Sequence, residues 1–100
     1  MSAALGRAIV TIYLDESFSL KDKRHEVKSV VHRVQARFTC AIAEIADLDD
    51  LRVATLGMVV LSTSAPHADR MLKTILTFIE SSLDLGYLGE VSTDIEPFFS

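Results

Sequence analysis

The sequence predicts a single α+β domain with the element order β-α-β-β-α-β. Three observations predict it. Short runs rich in Val, Ile, Leu and Thr alternate in direction, two long stretches repeat apolar residues every three or four positions, and polar or Gly/Pro-containing junctions separate them. One hundred residues fit one domain and can bury a core without metals or disulfides. Aromatics make up only 7% of the chain against 49% apolar residues, so that core must be built from Val, Ile, Leu and Ala.

Residues 1–6 read as a flexible N-terminal tail, and 7–100 as the domain. Arg7 to Asp15 reads as the first strand: Val10, Ile12 and Leu14 point one way, and Ile9, Thr11 and Tyr13 the other. Asp15-Glu16-Ser17-Phe18-Ser19 is a polar connection, and Ser19 is suited to cap a helix by accepting from the N–H of Asp22. That helix runs to about Phe38. Val27, Val31, Val34 and Phe38, spaced by 4, 3 and 4, predict its buried face, with Val30 flanking them. Thr39 to Ile45 is a second strand and Asp47-Leu48-Asp49-Asp50 a turn. Val53 to Ser62 is a third strand, apolar on both faces and therefore central. Ser64 caps a second helix with Pro66 in its first turn. Its apolar set runs from Ala68 through Met71, Leu72, Ile75, Leu76 and Ile79 to Leu83. Gly86 and Gly89 bracket a break before a last strand, Glu90 to Ile95, ahead of Pro97. This order is the split-βαβ, ferredoxin-like arrangement: a four-stranded antiparallel sheet with both helices on one face and the other face open.

Cysteine usage and hydropathy bound the setting. A lone Cys40 excludes an intramolecular disulfide, which suits a reducing compartment. The N-terminus lacks a signal-peptide pattern, and no apolar run approaches the ~20 residues needed to span a bilayer. The sequence therefore reads as cytoplasmic.

The net charge of −4 conceals an asymmetry. Residues 21–37 hold six basic and two acidic residues, a net of +4; the rest holds four basic and twelve acidic ones, a net of −8. At about 100° per residue, Lys21, Arg24, His25, Lys28, His32 and Gln35 share one arc of roughly 100° with no acid in it. Positive charges along a rigid rod suit a phosphate backbone. The same arc also suits an ordinary solvated face, since Lys and Arg are good helix formers.

Ser19-Leu20-Lys21-Asp22-Lys23-Arg24, Phe38, Ala43-Glu44 and Ala54-Thr55-Leu56-Gly57 together resemble the bacterial YlxP-like family, in the same register from the first strand to nearly the C-terminus. The Ser-Leu-Lys-x-Lys-Arg run is the most distinctive part. The resemblance implies a ferredoxin-like fold, and a gene often placed beside genes for translation initiation and ribosome maturation. It implies no established activity and no catalytic residues. Where family members commonly carry a tryptophan and an arginine ahead of the Ala-Thr-Leu-Gly segment, this chain has Leu51-Arg52-Val53.

The other chemically suggestive residues point to bland roles. His25 and His32 lie seven residues apart, roughly 10 Å along a helix, too far to share a metal. His67 belongs to another element and reads as a surface residue. Cys40 reads as an inert, buried thiol. Glu44 interrupts an apolar strand, facing the open side of the sheet or pairing with a basic residue or a partner subunit. The aspartates at 47, 49 and 50 lack the pattern of a calcium loop. Small acyl-phosphate hydrolases of this topology place an arginine in a glycine-rich loop after strand one, unlike Asp-Glu-Ser-Phe-Ser. RNA-recognition motifs need aromatics on strands one and three, and only Tyr13 is available.

The sequence thus predicts a non-enzymatic accessory domain with no cofactor, metal or membrane partner. Its predicted contact with RNA or the ribosome uses Lys21, Arg24, Lys28 and His32, with Lys23, Arg33 and Arg37 adding long-range attraction. The alternative is a homo-oligomeric interaction or small-ligand module using the open sheet face, where Ile9, Thr11, Tyr13 and outward residues of strand three are expected. A homodimer or higher assembly is expected on either reading.

Overall fold

The computed structural model describes residues 3–14 and 19–99. Its elements are β1 (Ala3–Leu14), α1 (Leu20–Arg37), β2 (Ala41–Ala46), β3 (Val53–Ser62), α2 (Ala65–Ser82) and β4 (Gly86–Phe99). The four strands form one antiparallel sheet in the order β2-β3-β1-β4. This is the ferredoxin-like arrangement, with both helices on one face. Val10, Ile12, Leu56, Met58 and Val60 of the central strands meet Val30 and Val34 of α1 and Leu72, Ile75 and Ile79 of α2 in one buried core.

β2 begins at Ala41 rather than Thr39, and the extents of β1 and β4 differ from the sequence reading for one shared reason. Residues 3–6, expected as tail, belong to β1: Ala4 pairs with Ser62 of β3 and Pro97 of β4 and is buried. Small side chains let the strand continue beneath α2, since a Cβ on Gly6 would stand 3.1 Å from the Leu72 side chain. β1 in turn templates β4, which extends well beyond Glu90–Ile95 in both directions. Gly86 and Gly89 lie inside β4. The break they suggested is a register shift, in which three steps from Leu88 to Val91 oppose two from Ile12 to Val10. Pro97 is tolerated because β4 is an edge strand.

Both helix starts follow their capping signals. Ser19 Oγ accepts from Asp22 N at 3.1 Å and the Asp22 carboxylate accepts from Ser19 N at 3.4 Å, a reciprocal capping box. Ser64 Oγ accepts from His67 N at 3.3 Å, with Pro66 in the first turn. The connection at residues 15–18 lies outside the described residues.

The buried stripe of α1 is rotated from expectation. Lys23, Val27, Val30 and Val34 are buried, whereas Val31 and Phe38 are only partly so. The 4-3-4 spacing is right but begins four residues earlier, a turn of about 40° around the helix. The stripe was displaced because its first member is a lysine, a residue seldom fully buried without a partner.

Candidate nucleic-acid interface on the first helix

Turning the core stripe by 40° leaves the basic arc on the far side of α1. Lys21, Arg24, His25, Lys28, His32 and Gln35 are all exposed. The predicted contact residues Lys21, Arg24, Lys28 and His32 are therefore together on one solvent-facing surface. A shallow hollow there is lined by His25, Lys28, Ser29, His32 and Arg33.

The cations of α1 differ in what holds them. Arg24 faces Asp49 at 3.7 Å, but both side chains are largely exposed and the pair is loose. Arg33 donates to the Ser82 carbonyl at 3.0 Å and lies 3.9 Å from Asp84, so it is drawn toward the end of α2. Arg37 stacks its guanidinium over the Phe78 ring, 5.1 Å from the centroid.

Lys23 is not part of the surface at all. Its side chain is completely buried, with Nζ 3.1 Å from Glu44 Oε2 on β2. Nζ also donates to the carbonyl of Asp47, and lies 3.4 Å from that of Leu48. Its protons are directed mainly at this turn, so the contact with Oε2 is electrostatic rather than a well-directed hydrogen bond. Asp47 itself adopts a left-handed backbone (φ 61°), and its carboxylate accepts from the Thr55 hydroxyl at 2.6 Å. Glu44 thus faces α1 rather than the open side of the sheet.

Glu26 is the second buried charge of α1. Its Oε2 accepts from the backbone N–H groups of Asp84 and Leu85, both at 2.8 Å. It ties α1 to the junction of α2 and β4. Cys40 is half-buried, and desolvation pushes its thiol above the ordinary range, which leaves little thiolate for nucleophilic chemistry. His67 is exposed and shares a 2.7 Å hydrogen bond with Ser62 Oγ.

Residues 5–89 match the family described as "Protein of unknown function (DUF503)". The chain belongs to this family. It is 31% identical to the "Uncharacterized protein YlxP" of Bacillus subtilis (strain 168) over 77 residues, covering 77% of this chain and 84% of that protein. Among solved structures, the de novo designed protein Foldit4 superposes with a TM-score of 0.52 at 10% identity, over 94% of this chain and 96% of its own. A designed protein with a ferredoxin fold, LFR1 1, gives 0.48 at 17% identity, over 100% and 88%.

The YlxP-like resemblance acquires a structural meaning in these contacts. The Ser-Leu-Lys-x-Lys-Arg run contributes the cap (Ser19), the buried cation (Lys23) and two surface cations (Lys21 and Arg24). Ala43-Glu44 contributes the buried anion. Two segments that look alike only as sequence are joined by one ion pair. Charge counting missed Lys23 and Glu26 as buried residues. The available signal was their position: Lys23 begins the 4-3-4 series ending at Val34, and Glu26 stands beside it.

Proposed function

We propose that this chain is a non-enzymatic, cytoplasmic accessory domain that contacts RNA, in the ribosome or apart from it, through the outward face of α1. The observation that supports this reading is the exposed row Lys21, Arg24 and Lys28 with His25 and His32 beside it, with no acid of the helix among them and only the loosely held Asp49 of the following turn near Arg24. The helix is held rigidly from behind by the buried contacts of Lys23 and Glu26. A fixed rod of cations can follow a phosphate backbone without first being ordered. The gene neighbourhood that the family resemblance implies agrees with an RNA partner.

The two central strands carry a single aromatic, Tyr13 on β1, whose hydroxyl donates to Glu90 at 2.6 Å and whose ring lies against Tyr87 of the edge strand β4, 5.8 Å between centroids, so the paired platform of an RNA-recognition motif on strands one and three is not formed. Contact is therefore with backbone and shape rather than with base edges. The strongly acidic remainder of the chain makes binding weak and confined to this face. Filter binding with ribosomal RNA tests it. Lys21→Gln/Arg24→Gln/Lys28→Gln should lose most affinity at low salt while keeping the wild-type circular dichroism spectrum. Equal retention of RNA by both proteins refutes the reading.

A further inference from the structure

We propose that the open face of the sheet is a self-association surface on which a second copy of this chain packs face to face. The inference is independent of the RNA reading, because it uses the opposite side of the molecule. Ile9 is 49% exposed, Ile45 51%, Val59 39% and Leu61 57%, all on or beside the two central strands. Leu5 faces the same way between them, opposite Leu61.

The extent of the face fits a dimer. Its strands are 12, 10, 6 and 14 residues long. At about 4.8 Å between strands and 3.4 Å per residue, the sheet presents roughly 690 Å². Apolar centre and polar edge together, this approaches the ~800 Å² per partner of a stable interface.

The shape of the face favours another sheet over a peptide or small ligand. Ile45 lies flat across Gly57, where an added Cβ would stand 2.8 Å from its Cδ1. Tyr13 lies flat across Gly89, where a Cβ would fall 2.3 Å from the ring. Two glycines therefore let two large side chains smooth the surface. The hollow between β1 and β4, lined by Arg7, Ile9, Ser92 and Asp94, measures about 70 Å³, too small for an organic ligand, and a larger one of about 320 Å³ beside Val59 and Leu61 lies at the sheet's edge, shared with Cys40 and Met71. A flat apolar surface needs a flat apolar partner, and a second copy supplies one of equal size.

The charges sit where an interface tolerates them. Arg7 is neutralised by Asp94 at 2.8 Å and Glu96 at 3.4 Å on the edge strand β4. These carboxylates would repel RNA from this side. A two-fold axis parallel to the strands lays β4 of each copy over β2 of the other, so Asp94 and Glu96 are not stacked on their own copies. The β2 residues on this face, Ala41, Ala43 and Ile45, are uncharged. The result is an apolar centre with a polar rim.

Sedimentation equilibrium of the full chain tests the proposal. Wild type at about 100 μM should give twice the 11.0 kDa chain mass. Ile9→Glu and Leu61→Glu should each halve that mass, while Thr77→Glu on the outer side of α2 leaves it unchanged. Should a charge unfold the chain, the neutral variants Ile9→Ser and Leu61→Ser report on the same surface, with a dimer about tenfold weaker or more. An 11.0 kDa wild-type species at that concentration overturns the proposal, as do folded Ile9 and Leu61 variants whose dimer is as tight as wild type.

Discussion

Replacing Lys23 by Met removes the cation from the buried pair while keeping a long apolar stem. Glu44 Oε2 is then buried with no donor within reach, and the carbonyls of Asp47 and Leu48 lose theirs. Breaking a buried pair from one side costs about 3–5 kcal/mol, because an uncompensated charge remains. The Glu44 side chain is 14% exposed and can draw some water, which places Lys23→Met near the lower end, at about 3 kcal/mol. Glu44→Leu leaves the fully buried ammonium of Lys23 with the Asp47 and Leu48 carbonyls but no counter-charge, and should cost about 3 kcal/mol. The double variant leaves neither charge and should recover at least about 2 kcal/mol of the summed losses. In a domain of this size, 3 kcal/mol lowers the melting temperature by more than about 12 °C. Urea unfolding of the four proteins, read by circular dichroism, gives the cycle directly. A single variant within about 1 kcal/mol of wild type, or losses that simply add, would show that the pair does not hold α1 to the β2–β3 turn.

Other substitutions separate the remaining parts of the account. Val30→Asp should destabilise by about 3 kcal/mol or more, and Val31→Asp by clearly less, because only Val30 is fully buried; the reverse order in thermal melts would refute the observed helix phase. Glu26→Ala leaves the Asp84 and Leu85 N–H groups without their acceptor and should cost about 1–3 kcal/mol, with faster amide exchange at those two positions as the local signature. The Cys40 thiol, raised by burial, should react with Ellman's reagent half-maximally above the ordinary pH of about 8.5. Its folded-state pKa lies above the unfolded value, so its contribution to stability is present at neutral pH and lost as pH rises through the folded value; a thiol titrating at or below the ordinary value contradicts this.

How far the sequence could be read depended on whether a residue's role was local. The capping boundary at Ser19, the span of β3 and the apolar face of α2 follow from short-range chemistry, and the structure has them as expected. The ends of β1 and β4 depend on each other: residues 3–6 become strand only because β4 and β3 flank them. The basic arc of α1 was legible because helical geometry alone assigns its members. Lys23 was not, because its burial depends on Glu44, 21 residues away in sequence, and on a carbonyl of the following turn. A lysine on the core stripe and a glutamate within an apolar strand were each visible. Nothing local said that they meet.

The salt dependence of RNA affinity tests the central functional claim most directly. If Lys21, Arg24 and Lys28 each neutralise one phosphate of a single strand, log K should fall with log salt at a slope of about −2. The triple Gln variant should be nearly flat, with its fold intact. A wild-type slope near zero, or a variant with the wild-type slope, would contradict the assignment of the α1 face as the RNA contact.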